Sequence, residues 1–370
     1  MKGIYKVDGE VIFYDPGPEM MGFFREIDPT YRVQSMQPGE GFTPRFHRLR
    51  EIEVKTQRGL FDMGPTELQS TLTAIQRRDF GCEGDYTYSG LDVLYVYLLK
   101  GLNECGLCEW ECKINRYQKQ GKCGLGVKIH TSKSFIHIAE EMAINPAIVI
   151  NFGGCALRCR YCVEHQNWDV KNLSPSSPKE LWTEIAGLLD QNIPANSLEF
   201  TNPTESLAGL VGILTEAPIA FKLPVVLNCH LYGSRFSYEM GNWITDVWLP
   251  DLRYGNDRCA KALSGVDNYM QHARDGLEAM LENGTQVIVR MLVLPGHVDC
   301  CHQLAIELLS AYREKVWVSI LDQYIPEYEA HLDPNLKRRP TREEISRVED
   351  LVDRYGLRNI ALGCDGFWSV

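Results

Sequence analysis

The residues with the clearest chemistry are three cysteines that share one short stretch. Cys155, Cys159 and Cys162 form a C-x3-C-x2-C run, which follows the apolar segment 148–152 and a Gly-Gly pair. The apolar segment predicts a short buried strand, and the two glycines allow the chain to turn sharply at its end. Three thiolates from one loop can converge on a single metal centre. Since an iron–sulfur cube usually takes four cysteines, a cube held by three keeps one iron open, as catalytic zinc sites keep one position free.

This spacing, with the aromatic residue Tyr161 just before the last cysteine, resembles the signature of radical S-adenosylmethionine enzymes. In that family the open iron of a [4Fe-4S] cluster is chelated by the amino and carboxylate groups of S-adenosylmethionine. An electron then cleaves the sulfonium and yields methionine and a 5′-deoxyadenosyl radical, which abstracts hydrogen. The alternative is three buried or zinc-binding cysteines that share a loop by chance. Ligand number, spacing and position after a strand all favour the cluster.

A second group of cysteines lies upstream. Cys105, Cys108, Cys112 and Cys123 have the spacing C-x2-C-x3-C-x10-C, and several glycines near Cys123 supply the turns that wrapping a metal requires. Four thiolates can enclose one tetrahedral ion or a second iron–sulfur cluster. They suit both zinc and iron, so the sequence leaves the metal open. The alternative is a set of reduced thiols in the core.

Composition narrows the class of protein. The chain has 370 residues, of which 44% are hydrophobic and 24% charged, as in ordinary globular proteins. Its net charge of −11 argues against nucleic acid as the main partner. No apolar run approaches the roughly 20 residues that span a bilayer, and the N-terminus lacks the apolar block of a signal peptide. These features predict a cytoplasmic protein without a membrane partner, and in a reducing compartment its thirteen cysteines favour metal ligation over disulfides.

From residue 148 onward, strand patterns alternate with helix patterns. Such alternation predicts parallel strands joined by right-handed crossovers, and six units are too few for the eight-fold barrel. The predicted fold class is therefore α/β, a partial (βα)6 barrel with an N-terminal extension and a small cysteine-rich metal-binding segment. The predicted strands are 148–152, 197–201, 224–228, 246–250, 286–293 and 316–321. The predicted helices are 178–191, 205–216, 234–242, 267–283, 301–313 and 341–355.

We divide the chain into four segments on the same grounds. Residues 1–95 form an accessory extension, 96–145 the cysteine-rich segment, 146–330 the barrel, and 331–370 a C-terminal helix with a closing tail. Prolines in the first 60 residues exclude a long element there. Beyond them, 65–79 and 91–99 have the apolar spacing of helices.

Catalytic groups in barrels of this kind gather at the carboxyl ends of the strands. Asn202, Thr204 and Glu205 follow the second predicted strand, and their side chains suit an ammonium or a carboxylate, or equally the cap of the next helix. Asn228 ends the third strand, where it can bind ribose hydroxyls or form a turn. Arg290 lies in the apolar fifth strand, so we expect it to meet a carboxylate. His297 is a weak candidate, because lone histidines are more often structural.

From Cys105 to about residue 359, the chain resembles uncharacterised radical S-adenosylmethionine proteins related to pyruvate formate-lyase activating enzyme. This resemblance implies that Tyr161 lies near the adenine. It implies an external low-potential electron donor, such as flavodoxin or ferredoxin. The Asn202 region stands where many relatives have Gly-Gly-Glu, so the partner of the amino group stays open. The motifs that carry the resemblance, besides both cysteine groups, are Asn202-Pro203-Thr204, Leu249-Pro250-Asp251-Leu252, Arg290 with Leu294-Pro295-Gly296, and Gln323-Tyr324-x-Pro326.

The leading hypothesis is an enzyme that reductively cleaves S-adenosylmethionine, with Asn202, Thr204, Asn228 and Arg290 positioning it. The substrate that loses hydrogen is a small molecule, a peptide or a glycyl-radical protein, and the sequence assigns no catalytic residue. The alternative is a non-enzymatic iron–sulfur protein for electron transfer or redox sensing. A three-ligand cluster argues against it, because an electron carrier needs no open iron.

Overall fold

The computed structural model describes residues 42–79, 83–138, 140–141, 143–191 and 195–361, together with the backbone of three short strands nearer the N-terminus. The strands are β1 Ile4–Asp8, β2 Val11–Asp15, β3 Arg32–Val33, β4 Glu53–Thr56, β5 Tyr86–Ser89, β6 Ile129–His137, β7 Ala147–Phe152, β8 Pro175–Ser176, β9 Ser197–Thr201, β10 Val225–Cys229, β11 Val247–Pro250, β12 Gln286–Leu292, β13 Trp317–Leu321 and β14 Asn359–Ile360. The α-helices are α1 Arg45–Arg50, α2 Pro65–Arg77, α3 Gly90–Gly101, α4 Pro178–Leu189, α5 Leu207–Thr215, α6 Arg235–Gly241, α7 Asp257–Ser264, α8 Tyr269–Leu281, α9 Gln303–Ser310 and α10 Arg342–Arg354. Among these helices none combines the length and apolar composition needed to cross a membrane.

One sheet of ten strands organises the described chain. Its order is β3-β14-β13-β12-β11-β10-β9-β7-β6-β8, and the strands from β7 through β13 are parallel neighbours in sequence order, apart from the edge strand β8. A helical connection follows each of these parallel strands. This is the partial (βα)6 barrel that the sequence predicts, so the fold class is confirmed.

The parallel strands form because they are apolar on both faces. All six residues of β7 are buried, as are all five of β10 and all four of β11. Strands buried on both sides are typical of parallel sheets covered by helices. The sheet therefore supplies a rigid layer whose carboxyl ends share one edge, where the polar loops begin.

Local signals set several helix ends. Thr341 caps α10, its side chain accepting from the Glu344 backbone N–H, while the Glu344 carboxylate accepts from the Thr341 N–H at 2.8 Å. This is the capping box that the sequence predicts. Several elements were not predicted, among them α7, which has only eight residues, and β6, a polar strand that pairs antiparallel with β7. Neither has a long periodic pattern.

The helices before the barrel pack onto it. Leu94 and Leu98 of α3 belong to the same buried core as Leu210 and Ile213 of α5. Gly212 of α5 permits the close approach, since a Cβ there would lie 2.9 Å from the ring of Tyr95. The segment boundaries at 95, 145 and 330 stay a prediction. The predicted closing tail lies, for residues 362–370, outside the described residues.

Candidate active site at the carboxyl end of the sheet

The cysteine loop leaves β7 through a residue that only glycine suits. Gly154 has φ of 77°, and a Cβ on it would lie 2.5 Å from the Leu125 side chain and 2.9 Å from the Cys123 carbonyl oxygen. Positive φ is costly for residues with a Cβ. The next residue is anchored to the same segment, since the Cys155 backbone N–H donates to the Cys123 oxygen at 3.0 Å. The loop therefore starts in a fixed direction.

The three thiols of this loop line one cavity of about 340 Å3. Cys155 and Cys159 are buried, whereas Cys162 is partly exposed. Burial raises the pKa of the Cys155 thiol well above its usual value, and the negative charges of Glu205, Cys159 and Cys162 raise it further. Burial and Cys159 likewise raise the pKa of Cys162 to about 11. Such thiols lose their protons when a cation binds in the protons' place.

A buried pair, Glu205 with His230, supports the cysteine loop. One carboxylate oxygen of Glu205 accepts from the Ala156 N–H at 2.6 Å and from His230 Nε2 at 2.8 Å. Burial by itself raises the pKa of Glu205, but the attraction and hydrogen bonds of His230, with those of Thr204 and Ala156, lower it to about 2. The predicted residue Thr204 is therefore committed to Glu205, to which its hydroxyl donates, and does not line the cavity.

Arg290 lies at the centre of the cavity wall and joins three acceptors. Its Nε donates to Asp251 at 2.7 Å, Nη1 to Glu140 at 2.9 Å, and Nη2 to the Asn228 side-chain oxygen at 2.9 Å. The Asn228 amide in turn donates to Glu199 at 2.8 Å. The structure thus brings Arg290 and Asn228 together, and Arg290 meets a carboxylate of the protein itself.

Acidic groups outnumber basic ones here. Glu140, Glu199 and Asp251 line the cavity, and the buried Glu141 lies just behind, accepting from the Ser319 hydroxyl at 2.8 Å. Burial raises the pKa of Glu199, and it raises that of Glu141 to about 7 against the attraction of Arg290. Sequence reasoning missed all three glutamates. Only Glu199 carries a signal, as an acid within an apolar strand.

Two further predicted residues reach the same cavity. Asn202 has φ of 52°, its side-chain oxygen lies 4.0 Å from Cys155 Sγ, and its N–H donates to the Asn228 carbonyl at 3.0 Å. The buried ring of Tyr161 lies 6.1 Å, centroid to centroid, from that of Tyr324. Tyr161, Asn202, Asn228 and Arg290 therefore line one wall together with the cysteine loop.

The upstream cysteines lie directly behind this loop. Cys105, Cys108 and Cys123 are buried and Cys112 is partly exposed. Gly121 packs between two of them, since a Cβ on it would lie 3.4 Å from Cys123 Sγ and 3.5 Å from Cys112 Sγ. The Cys123 carbonyl is also the acceptor of the Cys155 N–H. One hydrogen bond therefore links the two cysteine groups.

A buried arginine accompanies the upstream group. Arg116 Nη1 lies 4.0 Å from Cys105 Sγ and donates to the Glu205 carbonyl at 2.6 Å, and Nε donates to the Gly126 carbonyl at 2.9 Å. Arg116 is only 5% exposed, and no carboxylate of the described residues forms an ion pair with it. A buried charge is costly unless it is paired. The guanidinium lies beside a cysteine sulfur instead.

No family model matches the chain. Uncharacterized protein MJ0674 of Methanocaldococcus jannaschii is 30% identical over 284 residues, which cover 74% of this chain and 81% of that protein. Pyruvate formate-lyase 1-activating enzyme of Escherichia coli K12 is 23% identical over 225 residues, 55% of this chain and 87% of the enzyme. Among solved structures, HydG, a maturase of the [FeFe]-hydrogenase, aligns with a TM-score of 0.41 and 10% identity over 81% of this chain and 64% of its own. Methylornithine synthase (PylB) aligns with a TM-score of 0.39 and 13% identity over 82% and 85%.

Proposed function

The chain belongs to the radical S-adenosylmethionine superfamily, and we propose that it cleaves S-adenosylmethionine reductively at a [4Fe-4S] cluster bound by Cys155, Cys159 and Cys162. The observation that carries the proposal is the place of these thiols, on one loop at the carboxyl end of the sheet and facing one cavity that several ionisable side chains also line. When bound, the cluster supplies the electron that splits S-adenosylmethionine into methionine and a 5′-deoxyadenosyl radical. Three thiol donors fit a cube that keeps one iron for another ligand.

The cavity suits S-adenosylmethionine in charge and size. This molecule carries a sulfonium and an ammonium, both cations, and three carboxylates line the wall. Glu140 and Asp251 pair with Arg290, whereas Glu199 accepts only from the Asn228 amide among the hydrogen bonds of the described residues. A volume of about 340 Å3 lies within the range of small-molecule sites. The side-chain amide of Asn202 lies beside Cys155, so it suits the polar end of the molecule, and Tyr161 offers a ring to the adenine.

We assign two of the predicted residues indirect roles. Arg290 already donates to Asp251, Glu140 and Asn228, so it orients these acceptors, and its remaining N–H groups serve a carboxylate. Thr204 orients Glu205 beneath the loop. Both are therefore positioning residues in this proposal.

Cys105, Cys108, Cys112 and Cys123 form a second metal centre in our proposal, an iron–sulfur cluster or zinc. Two observations support it: three of the four thiols are buried, and Arg116 has no carboxylate partner among the described residues. Thiolates around a metal would balance the charge of Arg116. Because the Cys123 carbonyl binds the Cys155 N–H, a redox-active centre there would lie close enough to exchange electrons with the first.

The radical abstracts hydrogen from a small molecule, a peptide or a protein substrate, in the manner of an activating enzyme. An external low-potential donor such as flavodoxin or ferredoxin supplies the electron. The eleven described cysteines are all free, which suits the reducing cytoplasm. The non-enzymatic alternative is less well supported, because an electron carrier needs no cavity of small-molecule size beside its cluster.

The test is anaerobic turnover of the reconstituted chain with S-adenosylmethionine and dithionite, with 5′-deoxyadenosine measured by mass spectrometry. We expect product from the wild type and a loss of at least about 100-fold in Cys159→Ala, since even changes beyond the ligands cost 10–100-fold at metal sites. Cys229→Ala, a buried cysteine outside the groups discussed, is the matched control and should retain product. Cleavage retained in Cys159→Ala would refute the ligand assignment.

A further inference from the structure

A third group of metal-binding side chains lies outside the site described above. It joins Cys259, in the first turn of α7, to His297 and Cys300, which follow β12. A π-helical turn, Val298–His302, places the last two residues on the same side. Cys259 is buried, while His297 and Cys300 are partly exposed, so an ion can reach the group from solvent.

The ligand atoms of this group are close together. Cys259 Sγ lies 3.9 Å from Cys300 Sγ and 3.9 Å from His297 Nδ1, and Cys300 Sγ lies 3.4 Å from the same nitrogen. Two sulfurs on one tetrahedral zinc stand about 3.8 Å apart, and a sulfur and a nitrogen about 3.6 Å apart. The observed distances therefore match the edges of a zinc tetrahedron without rearrangement.

The surroundings hold these atoms in place. Asn256 accepts from the Cys259 N–H at 2.7 Å, and its side-chain amide donates to Cys259 Sγ at 3.2 Å. Gly255 packs so tightly on the π-helical turn that a Cβ would lie 2.0 Å from the Cys301 carbonyl oxygen. The Nε2 atom of His297 is buried and has no hydrogen-bond partner among the described residues. The ring of His297 is therefore oriented by the contacts of its other nitrogen, Nδ1, with the two sulfurs.

We propose that Cys259, His297 and Cys300 bind one zinc ion, separate from both cysteine groups already described. Zinc prefers four donors in a tetrahedron, with thiolate and imidazole among its usual ligands. These three side chains supply three donors, and water supplies the fourth. The ligand atoms of Cys155, Glu205 and His230 also lie within 4.8 Å of one another. Glu205 already accepts hydrogen bonds from His230 and from the Ala156 N–H of the loop, so these three residues are not free to bind an ion.

The position of the site gives the ion a structural role. α7 begins at the proposed zinc and ends against the cysteine loop. There the Ser264 hydroxyl donates to Cys159 Sγ at 3.1 Å, and the Leu263 carbonyl accepts from the Arg160 N–H at 2.8 Å. Fixing the first turn of α7 to the turn after β12 would hold this contact. Zinc should therefore stabilise the folded chain in the absence of any cluster.

The experiment uses the full chain purified without oxygen, depleted with a chelator and reloaded with zinc alone. Zinc per chain is counted by mass spectrometry, zinc affinity is measured by competition, and the melting temperature is recorded. We compare the wild type with Cys300→Ala, with His297→Gln and with the control Cys229→Ala. Zinc bound by the upstream cysteines is common to all four proteins, so it cancels in the comparison.

We expect Cys300→Ala to bind one zinc fewer per chain than the wild type and to show a smaller rise in melting temperature when zinc is added. His297→Gln should bind that zinc at least about 10-fold more weakly, and Cys229→Ala should behave as the wild type. Equal zinc counts in all four proteins would overturn the proposal. So would a Cys259–Cys300 disulfide in the anaerobic wild type. If Cys300→Ala fails to fold, His297→Gln decides, because unchanged affinity there also overturns it.

Discussion

Two sets of side chains in this molecule differ in how close together their ligand atoms lie. One is the cysteine loop, with Cys155, Cys159 and Cys162, and the other is the compact group of Cys259, His297 and Cys300. In the compact group all three ligand atoms lie within 4.8 Å of one another, whereas the three sulfurs of the cysteine loop do not form such a set. Two ligands of one zinc cannot be more than about 4.6 Å apart, because each Zn–S bond is about 2.3 Å. A cube of four irons and four sulfides needs more room between its thiolates. The spacing therefore suits the group of Cys259, His297 and Cys300 to a single ion, whereas the three loop sulfurs lie too far apart to share one.

The two groups also differ in how the protein treats the thiol proton. Burial raises the pKa of Cys155 well above its usual value. Hydrogen bonding with Cys301 is the largest influence on Cys259 and, with the bonds of His297 and Asn256, lowers its pKa to about 4 despite burial. Burial raises the pKa of Cys300, the other thiol of the compact group, to about 11, so only Cys259 differs from the loop thiols in this respect. The cysteine loop is supported by residues elsewhere in the fold, namely Glu205, which accepts from the Ala156 N–H, and His230, which donates to Glu205.

The largest effect should come from removing that support. Glu205→Ala leaves the Ala156 N–H, the Thr204 hydroxyl and His230 without their shared acceptor in a buried site. We expect the free energy of unfolding to fall by about 3–5 kcal/mol, measured by urea denaturation of the metal-free chain. The control Glu329→Ala also touches the loop, through Arg160, but is 40% exposed and should cost at most about 1 kcal/mol. Equal effects would mean that the loop does not depend on the buried pair.

A pH titration tests the surroundings of the compact group. Burial is the main cause that lowers the pKa of His302 to about 4, and its Nε2 accepts from the Leu294 N–H at 2.8 Å. The folded pKa lies below the unfolded value of about 6.5, so protonation of His302 favours the unfolded chain. The contribution of His302 to the free energy of unfolding is therefore complete above pH 6.5 and is lost as pH falls toward 4. The shift corresponds to about 3 kcal/mol. Denaturation of metal-free protein at several pH values should show this loss, and His302→Gln should lack it. An unchanged slope in the variant would exclude His302 as its source.

A smaller effect should follow from Gly154→Ala, at the start of the loop. The added Cβ meets Leu125 and the Cys123 carbonyl, and φ is 77°. We expect a loss of about 1–3 kcal/mol in unfolding free energy and less iron bound after reconstitution, with zinc binding at Cys259 unchanged. Gly187→Ala is the matched control, because its Cβ meets nothing within 4 Å in α4 and should be neutral or slightly stabilising. Equal iron content in both variants would show that the turn does not position the loop.

Local patterns carried most of what the sequence predicted. The cysteine loop, the strand and helix rhythm and the capping box at Thr341 each lie within a short window, so spacing alone reveals them. The strand β9 begins and ends where predicted, at Ser197–Thr201. Short elements without a periodic pattern, such as α7, were missed.

Contacts between distant segments could not be predicted in the same way. Arg290 meets Glu140 across 150 positions, and Cys259 lies beside His297 across 38. Nothing in either local sequence marks these pairs, since the fold creates them. His297 appeared only as a weak candidate for this reason, and Thr204 suited a ligand in sequence but binds Glu205 in the structure.

The most direct test of the central claim is the electron paramagnetic resonance spectrum of the reduced, reconstituted chain, recorded with and without S-adenosylmethionine. A cube held by three cysteines has an iron that S-adenosylmethionine can bind, so its addition should shift the g values of the reduced cluster in the wild type. Cys159→Ala should lose that response. A cluster spectrum that S-adenosylmethionine leaves unchanged, or a Cys159→Ala spectrum that responds as the wild type does, would contradict the account.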